Sequence, residues 1–317
     1  MTLLIVWNDM KLLTSILSAK QFDRDSLLEL YQLASSLEET LKTKRKLKLL
    51  DGYILASLFF EASTRTRLSF ETAMHRLGGQ VITAVGVQFS SLSKGESLFD
   101  TLKMIESYAD VCVIRHPSQG ASELAAKNIS VPVINGGDGA GEHPTQALLD
   151  FYTIEKKLQL SKNKLKISFI GDNKFGRTIH SLVVLLQHFD VHLHFVNPSE
   201  LSLPKKYKKI LTTANVQFSE SENLQTVKDS DVLYMTRIQE ERFIDRSLFD
   251  RVKDSFKINL DFVEKCKKGV IVMHPLPRLS EVHSELDNSK QAVYFEQAKN
   301  GVYVRMAILL KLLKITF

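Results

Sequence analysis

Short apolar runs rich in β-branched residues alternate with longer segments of helical spacing along most of the chain. The runs lie at 53–60, 81–85, 110–115, 131–134, 166–170, 191–196, 232–236 and 270–273. Such alternation predicts an α/β fold of parallel sheets flanked by helices, because each parallel pair needs a crossover. The runs form two groups, one before residue 150 and one after 165. A helical stretch at 144–157, with Ala147, Leu148, Leu149, Phe151 and Ile154, connects them, and the polar residues 161–164 follow. At 317 residues the chain exceeds what one hydrophobic core usually serves, so two domains are expected. Further helices are predicted at 22–50, capped by Asp25-Ser26, and at 302–313.

Several classes are excluded early. The two cysteines, Cys112 and Cys266, sit in no paired motif, which argues against a disulfide scaffold or a zinc ribbon. Cys112 lies in the apolar run Val111-Cys112-Val113-Ile114 and reads as a core residue. The apolar start Met1-Thr2-Leu3-Leu4-Ile5-Val6-Trp7 is too short for a signal-peptide core and lacks a basic lead-in. No stretch approaches the roughly 20 apolar residues of a membrane span, so a cytoplasmic protein is expected. The net charge of +6 suits anionic small molecules without requiring them. The basic run at 42–48 has no interleaved aromatics and reads as a solvated helix end, so neither nucleic acid nor membrane is an expected partner.

In open parallel sheets, ligands bind beyond the carboxyl ends of the strands. Six strand ends here deliver Arg, His, Gln or hydroxyl groups. The first leads into Glu61-Ala62-Ser63-Thr64-Arg65-Thr66-Arg67, the third into Arg115-His116-Pro117, and the fourth into a glycine-rich stretch ending Glu142-His143-Pro144-Thr145-Gln146. In the second group the ends lead into Gly171-Asp172-Asn173-Lys174-Phe175-Gly176-Arg177, Thr236-Arg237-Ile238-Gln239 and His274-Pro275-Leu276-Pro277-Arg278.

Ser63 is placed to cap a helix through Leu68, Phe70, Ala73 and Leu77 that stops at Gly78-Gly79. The first-turn N–H groups, three hydroxyls and Arg65 or Arg67 would then surround one point, a site for a dianion such as phosphate. Arg67 and Glu71, four apart, can pair on the outer face. Residues 171–176 lack both the Gly-Lys-Ser/Thr ending of an ATP loop and the three-glycine dinucleotide fingerprint. No carboxylate cluster suited to magnesium stands at the strand ends, so neither cofactor nor metal is expected. Among the histidines, His143 is singled out by its glycine-rich turn and the following proline, while His75, His180, His188, His192 and His194 read as packed or surface residues. Asp172 reads as a loop residue fixing the Gly171 turn.

Ser63-Thr64-Arg65-Thr66-Arg67 with Phe70-Glu71, together with His143-Pro144-Thr145-Gln146, resembles the aspartate/ornithine carbamoyltransferase family. Lys94-Gly95-Glu96, Thr236-Arg237-Ile238-Gln239-Glu240-Glu241-Arg242 and His274-Pro275-Leu276-Pro277-Arg278 are similar to its aspartate-specific catalytic chains; ornithine-specific members carry cysteine at the place of Pro275. The likeness runs from about residue 20 to the end. It implies an active site at the strand carboxyl ends in the cleft between two domains. Residues 1–144, with a helix at 298–317 packing back on them, would bind carbamoyl phosphate; residues 145–297 would bind aspartate. It further implies that Ser63, Thr64, Arg65 and Thr66 hold the phosphate. Arg115, His143 and Thr66 would meet the carbonyl oxygen, and Gln146 the amino group. Arg177, Arg237 and Gln239 would bind the aspartate carboxylates, and Leu276 and Pro277 would offer backbone carbonyls. Ser90 and Lys94 would enter a neighbouring subunit's site, making the active unit a homotrimer. Glu61 would pair with Arg177 and Arg242 on domain closure.

The chemistry agrees with this inventory. Carbamoyl phosphate already carries a good leaving group, so no covalent intermediate is required. The reaction needs a neutral amine held against the carbonyl carbon and positive groups where oxyanion charge develops. Two guanidiniums suit the two carboxylates of aspartate better than lysines. Phe175 stands where tyrosine is common in the family, and the first dozen residues read as a private extension. Two other readings stay open: a carbamoyltransferase for another amino acid, and a catalytically inactive scaffold subunit of a pyrimidine-synthesis complex. Whether regulatory chains or a dihydroorotase associate is not legible in the sequence.

Overall fold

The computed structural model describes residues 13–86, 91–238, 246–252 and 256–317. The chain divides into two compact units, Met1–Leu149 with Lys299–Phe317, and Asp150–Ala298. Both crossings fall inside helices, α5 (Pro144–Leu158) and α10 (Tyr294–Leu312).

The first unit contains β1 (Ile54–Phe59), β2 (Gln80–Val85), β3 (Val111–His116) and β4 (Val133–Asp138), all parallel, in the order β2-β1-β3-β4. Helices α1 (Arg24–Thr43), α2 (Thr64–Leu77), α3 (Leu98–Tyr108) and α4 (Ala121–Asn128) accompany them. The central strands β1 and β3 are buried almost throughout, whereas the edge strand β2 is not. That is why the central strands read as continuous apolar runs. The core joins Leu58, Leu102, Cys112, Ile114 and Val133. Burial pushes the Cys112 thiol up to about 12, which makes it an inert packing group.

The second unit contains β5 (Leu165–Ile170), β6 (Val191–Val196), β7 (Gln217–Ser221), β8 (Val232–Met235) and β9 (Ile271–Met273), again all parallel, in the order β7-β6-β5-β8-β9. Its helices are α6 (Arg177–Leu186), α7 (Lys205–Thr213), α8 (Arg246–Val252) and α9 (Leu260–Glu264). The order reverses between β1 and β3 in one sheet and between β5 and β8 in the other. Ligands bind beyond the carboxyl ends at such reversals.

The structure corrects several expectations. β7 has no counterpart among the predicted runs, because Gln-Phe-Ser-Glu-Ser lies on a sheet edge with only partial burial. β4 continues to Asp138 through residues expected to form a loop, since Gly136 lies so close to β3 that a Cβ there would be 3.2 Å from the Ile114 carbonyl. α1 has Asp23 as its N-cap, with Ser26 completing the capping box by accepting the Asp23 N–H (2.9 Å) while Asp25 lies in the first turn, and it ends at Thr43; the expected helix to 50 gives way to bonds such as Leu47 N–H to Arg76 O (2.7 Å). α10 starts at Tyr294, well before 302, and runs through Gly301. A Cβ on Gly301 would sit 2.1 Å from the Arg305 guanidinium, so packing overrides the glycine's helix penalty there. The segment before α1 also adds to the first sheet: Ile16 N–H donates to Val133 O (2.9 Å), and Asn135 N–H donates to Ile16 O (2.8 Å). Among the described residues, no helix is long and apolar enough to cross a membrane.

His180 on α6 donates from Nε2 to Asn173 O at 2.9 Å and stacks on Tyr207 at 4.2 Å. Burial lowers its pKa from 6.5 to about 4. The unfolded chain therefore takes up this proton at higher pH than the folded one, and stability falls as pH drops through that window. The full effect is about 3 kcal/mol. Urea denaturation between pH 7 and 4.5 should show His180→Gln losing less stability than the parent chain; equal losses would remove His180 as the cause.

Candidate active site

At the first sheet's reversal, β1 leads through Glu61 to α2, whose N-cap is Ser63 in an extended conformation (φ −161°, ψ 90°). Ser63 does not cap: its hydroxyl makes no bond to the helix, contrary to expectation. The serine and aspartate that begin α3 and α1 do make such bonds, to Asp100 N and Ser26 N. The first-turn N–H groups of α2 are thus left for something other than their own cap, at the positive end of the helix dipole. Thr66 is buried in that turn, whereas Thr64 and Arg65 stand exposed. Glu71, expected to pair outward with Arg67, instead accepts the hydroxyls of Ser57 (3.0 Å) and Thr83 (3.2 Å), so it braces α2 against β1 and β2.

Arg115 is the penultimate residue of β3, the strand beside β1. It is 9% exposed, donates to Gly136 O at 3.3 Å and lies 3.3 Å from the Glu61 carboxylate. Partial burial and then the Arg115 charge lower the Arg65 pKa, so the two guanidiniums repel across a shared space. An anion placed there would relieve that repulsion. After β4 the chain wraps around the buried Asp138, whose carboxylate accepts from Glu142 N (2.8 Å), Gly120 N (2.9 Å) and Asn135 Nδ2 (3.4 Å). Gly139 (φ +50°) is required at this turn, because a Cβ would lie 2.1 Å from Pro117 O. The turn delivers His143, 4% exposed, to the start of α5, where Pro144 is the first helical residue and Gln146 stands in the first turn.

At the second sheet's reversal, Gly171 (φ +115°) follows β5 directly under Thr236, whose carbonyl a Cβ would approach to 2.3 Å. Thr236 donates to Ile170 O (3.2 Å) and accepts from Asp172 N (3.1 Å), tying the ends of β5 and β8 together. Asp172 fixes the turn as expected, accepting from Phe175 N at 2.9 Å. The turn ends at Gly176, and Arg177 opens α6, half-buried. Arg237 follows β8, also half-buried, and lines a cavity of about 160 Å³ with Thr236, Ile238, Phe256, Leu279 and Glu281. After β9, His274 Nδ1 accepts the Leu276 N–H (2.8 Å), so the ring carries its proton on Nε2 and donates it to Glu281 (2.8 Å). This clamp shapes the turn in which Leu276 has φ +53° and the Leu276–Pro277 peptide is cis. Burial pushes the Glu281 carboxyl up, but the His274 and Leu279 donors outweigh it and hold the group below its ordinary value.

The profile described as aspartate/ornithine carbamoyltransferase, carbamoyl-P binding domain, matches residues 14–156. The companion profile, Asp/Orn binding domain, matches residues 163–312. This chain belongs to the aspartate/ornithine carbamoyltransferase family. It is 51% identical over 306 residues to the aspartate carbamoyltransferase catalytic subunit of Leptospira biflexa, covering 96% of this chain and 97% of the relative. Its fold matches the catalytic subunit of aspartate transcarbamoylase from Methanocaldococcus jannaschii with a TM-score of 0.89 at 50% identity, over 95% and 98% of the two chains. Aspartate transcarbamoylase from Trypanosoma cruzi, solved with carbamoyl phosphate and aspartate, gives 0.89 at 41% identity, over 94% and 96%.

Within this carbamoyltransferase, the first unit brings together Ser63, Thr64, Arg65, Thr66, Arg115 and Glu61 around the β1 and β3 ends. The second gathers Arg177, Arg237, Leu276 and Pro277 at the strand ends of its own sheet. Ser90, Gln239 and Arg242 lie outside the described residues, as do the first dozen residues. Lys94, exposed, closes the single turn Ser91–Lys94. Glu61 pairs with Arg115 within the first unit. Sequence reading named Thr236 at a strand end without a bracing role, and it gave no role to Asp138 or to the His274–Glu281 clamp. The glycines flanking Asp138 were a visible signal, whereas the clamp joins residues seven apart through a turn that no local pattern announces.

A capping serine replaced by alanine typically costs about 1 kcal/mol. Ser63→Ala should cost less than about 0.5 kcal/mol in phosphate-free urea denaturation, while Ser97→Ala, which removes a formed cap on α3, should cost about 1 kcal/mol. Equal penalties would mean that Ser63 caps α2 after all.

Proposed function

We propose that this chain transfers the carbamoyl group of carbamoyl phosphate to the amine of L-aspartate, releasing N-carbamoyl-L-aspartate and phosphate in de novo pyrimidine (UMP) synthesis. The observation that carries the reading is the uncapped start of α2, where Arg65 and Arg115 face one space at a helix N-terminus. That arrangement suits a dianion attached to a carbonyl group. The names of the catalytic-subunit relatives and the ligands of the Trypanosoma cruzi enzyme point the same way.

In this reading Ser63, Thr64, Arg65 and Thr66 hold the phosphate. Arg115, His143 and Thr66 stabilise the oxyanion at the carbonyl, and Gln146 holds the amino group. Arg177, Arg237 and Gln239 bind the aspartate carboxylates, and the carbonyls of Leu276 and Pro277 accept from nitrogen. The first unit thus serves carbamoyl phosphate and the second aspartate. The amine attacks the carbonyl carbon, the C–N bond forms, and the C–O bond to phosphate breaks. The proton released by the amine goes to the departing phosphate, which is itself a base. No cofactor enters this sequence of steps. The setting of such biosynthesis is the cytoplasm.

The active unit in this reading is a homotrimer, with Ser90 and Lys94 entering a neighbour's site. Exposed apolar side chains on the first unit, Leu68, Phe99, Met104 and Tyr108, support an interface there. Purified protein should form product from carbamoyl phosphate with aspartate but not with ornithine; no product with aspartate would reject the assignment. Arg65→Ala and Lys94→Ala should each lose on the order of 100- to 1000-fold in kcat. Trimers reassembled from a mixture of the two variants should regain activity, because some sites are then intact at both positions. Verified hybrids that stay inactive would rule out a shared site.

A further inference from the structure

Asp150 is fully buried on α5, yet no reaction step draws on it. Both of its carboxylate oxygens accept short bonds: Oδ2 from the Tyr234 hydroxyl (2.6 Å) and Oδ1 from Gln297 Nε2 (2.6 Å). Gln297 on α10 is 1% exposed, and its Oε1 in turn accepts the backbone N–H of His274 at 2.9 Å. Tyr234 lies in β8, three residues before Arg237, and it is also reached by the Thr178 side chain on α6, next to Arg177. His274 directly follows β9 and sets the Leu276 turn through its ring. Burial and then the Asp150 charge raise the Tyr234 phenol well above its ordinary value, so it stays a donor throughout the working pH range.

We propose that Asp150 is a positioning residue for the aspartate-binding half, a buried carboxylate that fixes the ends of β8 and β9 relative to each other and so aligns Arg237 with the Leu276 and Pro277 carbonyls. The inference rests on the assignment of those groups to aspartate given above. The bonding leaves little freedom. Gln297 spends its N–H on Asp150 and its carbonyl on His274, so it cannot turn over without setting donor against donor at His274. An ionised carboxylate satisfies both Tyr234 and Gln297 at once. A hydrophobic residue would leave a buried hydroxyl and a buried amide unpaired. Asparagine keeps an acceptor for Gln297, and the Tyr234 hydroxyl can rotate to accept from its amide.

The expectation follows from that difference. Asp150→Ala should raise the KM for aspartate by about tenfold or more, since misplacement by about 1 Å is costly, while the KM for carbamoyl phosphate stays within about twofold. Asp150→Asn should return most of the loss. Tyr234→Phe, which removes one oxygen and keeps the ring, should raise the KM for aspartate several-fold and serves if Asp150→Ala does not fold. A residue that only held the fold together would lower kcat in proportion to the folded fraction and leave both KM values unchanged, and that pattern would overturn the proposal. Amide hydrogen exchange gives a readout free of the substrate assignment: Leu276 and Leu279 should lose protection in Tyr234→Phe while β5 and β6 keep theirs. Unchanged protection at both would also overturn it. If the parent chain makes no product from aspartate, the assignment of substrate fails, and the exchange result still decides whether Asp150 orders the β8 and β9 ends.

Discussion

Every pairing in both sheets is parallel, and a parallel strand can be re-entered only from the same end, through a crossover. The carboxyl ends of all strands in one sheet therefore share one edge. Each sheet also reverses its direction of winding once, between β1 and β3 or between β5 and β8. At the reversal two crossovers leave to opposite faces, and the loops separate. Glu61 to Thr66 and Arg115 occupy one such gap; Gly171 to Arg177 and Thr236 to Arg237 occupy the other. The positions of the reactive groups follow from strand pairing before any side-chain contact is considered.

The same backbone arrangement sets the electrostatics. Helices α2 and α6 start at these gaps, and neither receives a side-chain cap. Each opens with an arginine in its first turn, where a helix dipole would favour an acid. Placing Arg65 and Arg177 there costs local stability and concentrates positive charge where an anion can repay it. Burial and then the Arg115 charge lower the Arg65 pKa, and a guanidinium's ordinary value is so high that arginine stays charged in proteins. Asp138 accepts two backbone N–H groups and the Asn135 amide, and His274 donates from Nε2 to Glu281.

Polar groups brace the strand ends within each unit. Thr236 ties β8 to β5, Glu71 ties α2 to two strands, and Asp150 reaches β8 and, through Gln297, β9. These bonds add little net stability, about 0.5–1.5 kcal/mol each, since each replaces a bond to water. They matter because leaving any one partner unpaired in the interior costs about 1–3 kcal/mol, and so only one arrangement of the loops is tolerated.

Much of this was legible in the sequence. The apolar runs of β1, β3, β5 and β8 announced a parallel α/β fold, because strands buried on both faces must be apolar throughout. The residues after those strands named the chemistry, since Arg, His and Thr are seldom gathered at strand ends without a ligand. The edge strand β7 escaped notice because half-exposed residues need no apolar pattern, and α10 passed through Gly301 because Arg305 needed the space. Sequence by itself determined the fold class, the family and the residue types at the rim, for these depend on local composition and order along the chain. Only the tertiary structure decided that Ser63 leaves its helix uncapped, that Glu71 turns inward, that Glu61 pairs with Arg115, and that Asp150 reaches Tyr234, 84 residues away. Those outcomes depend on which hydrogen-bonding groups are brought together when the interior closes, and a buried group takes its partner from across the fold.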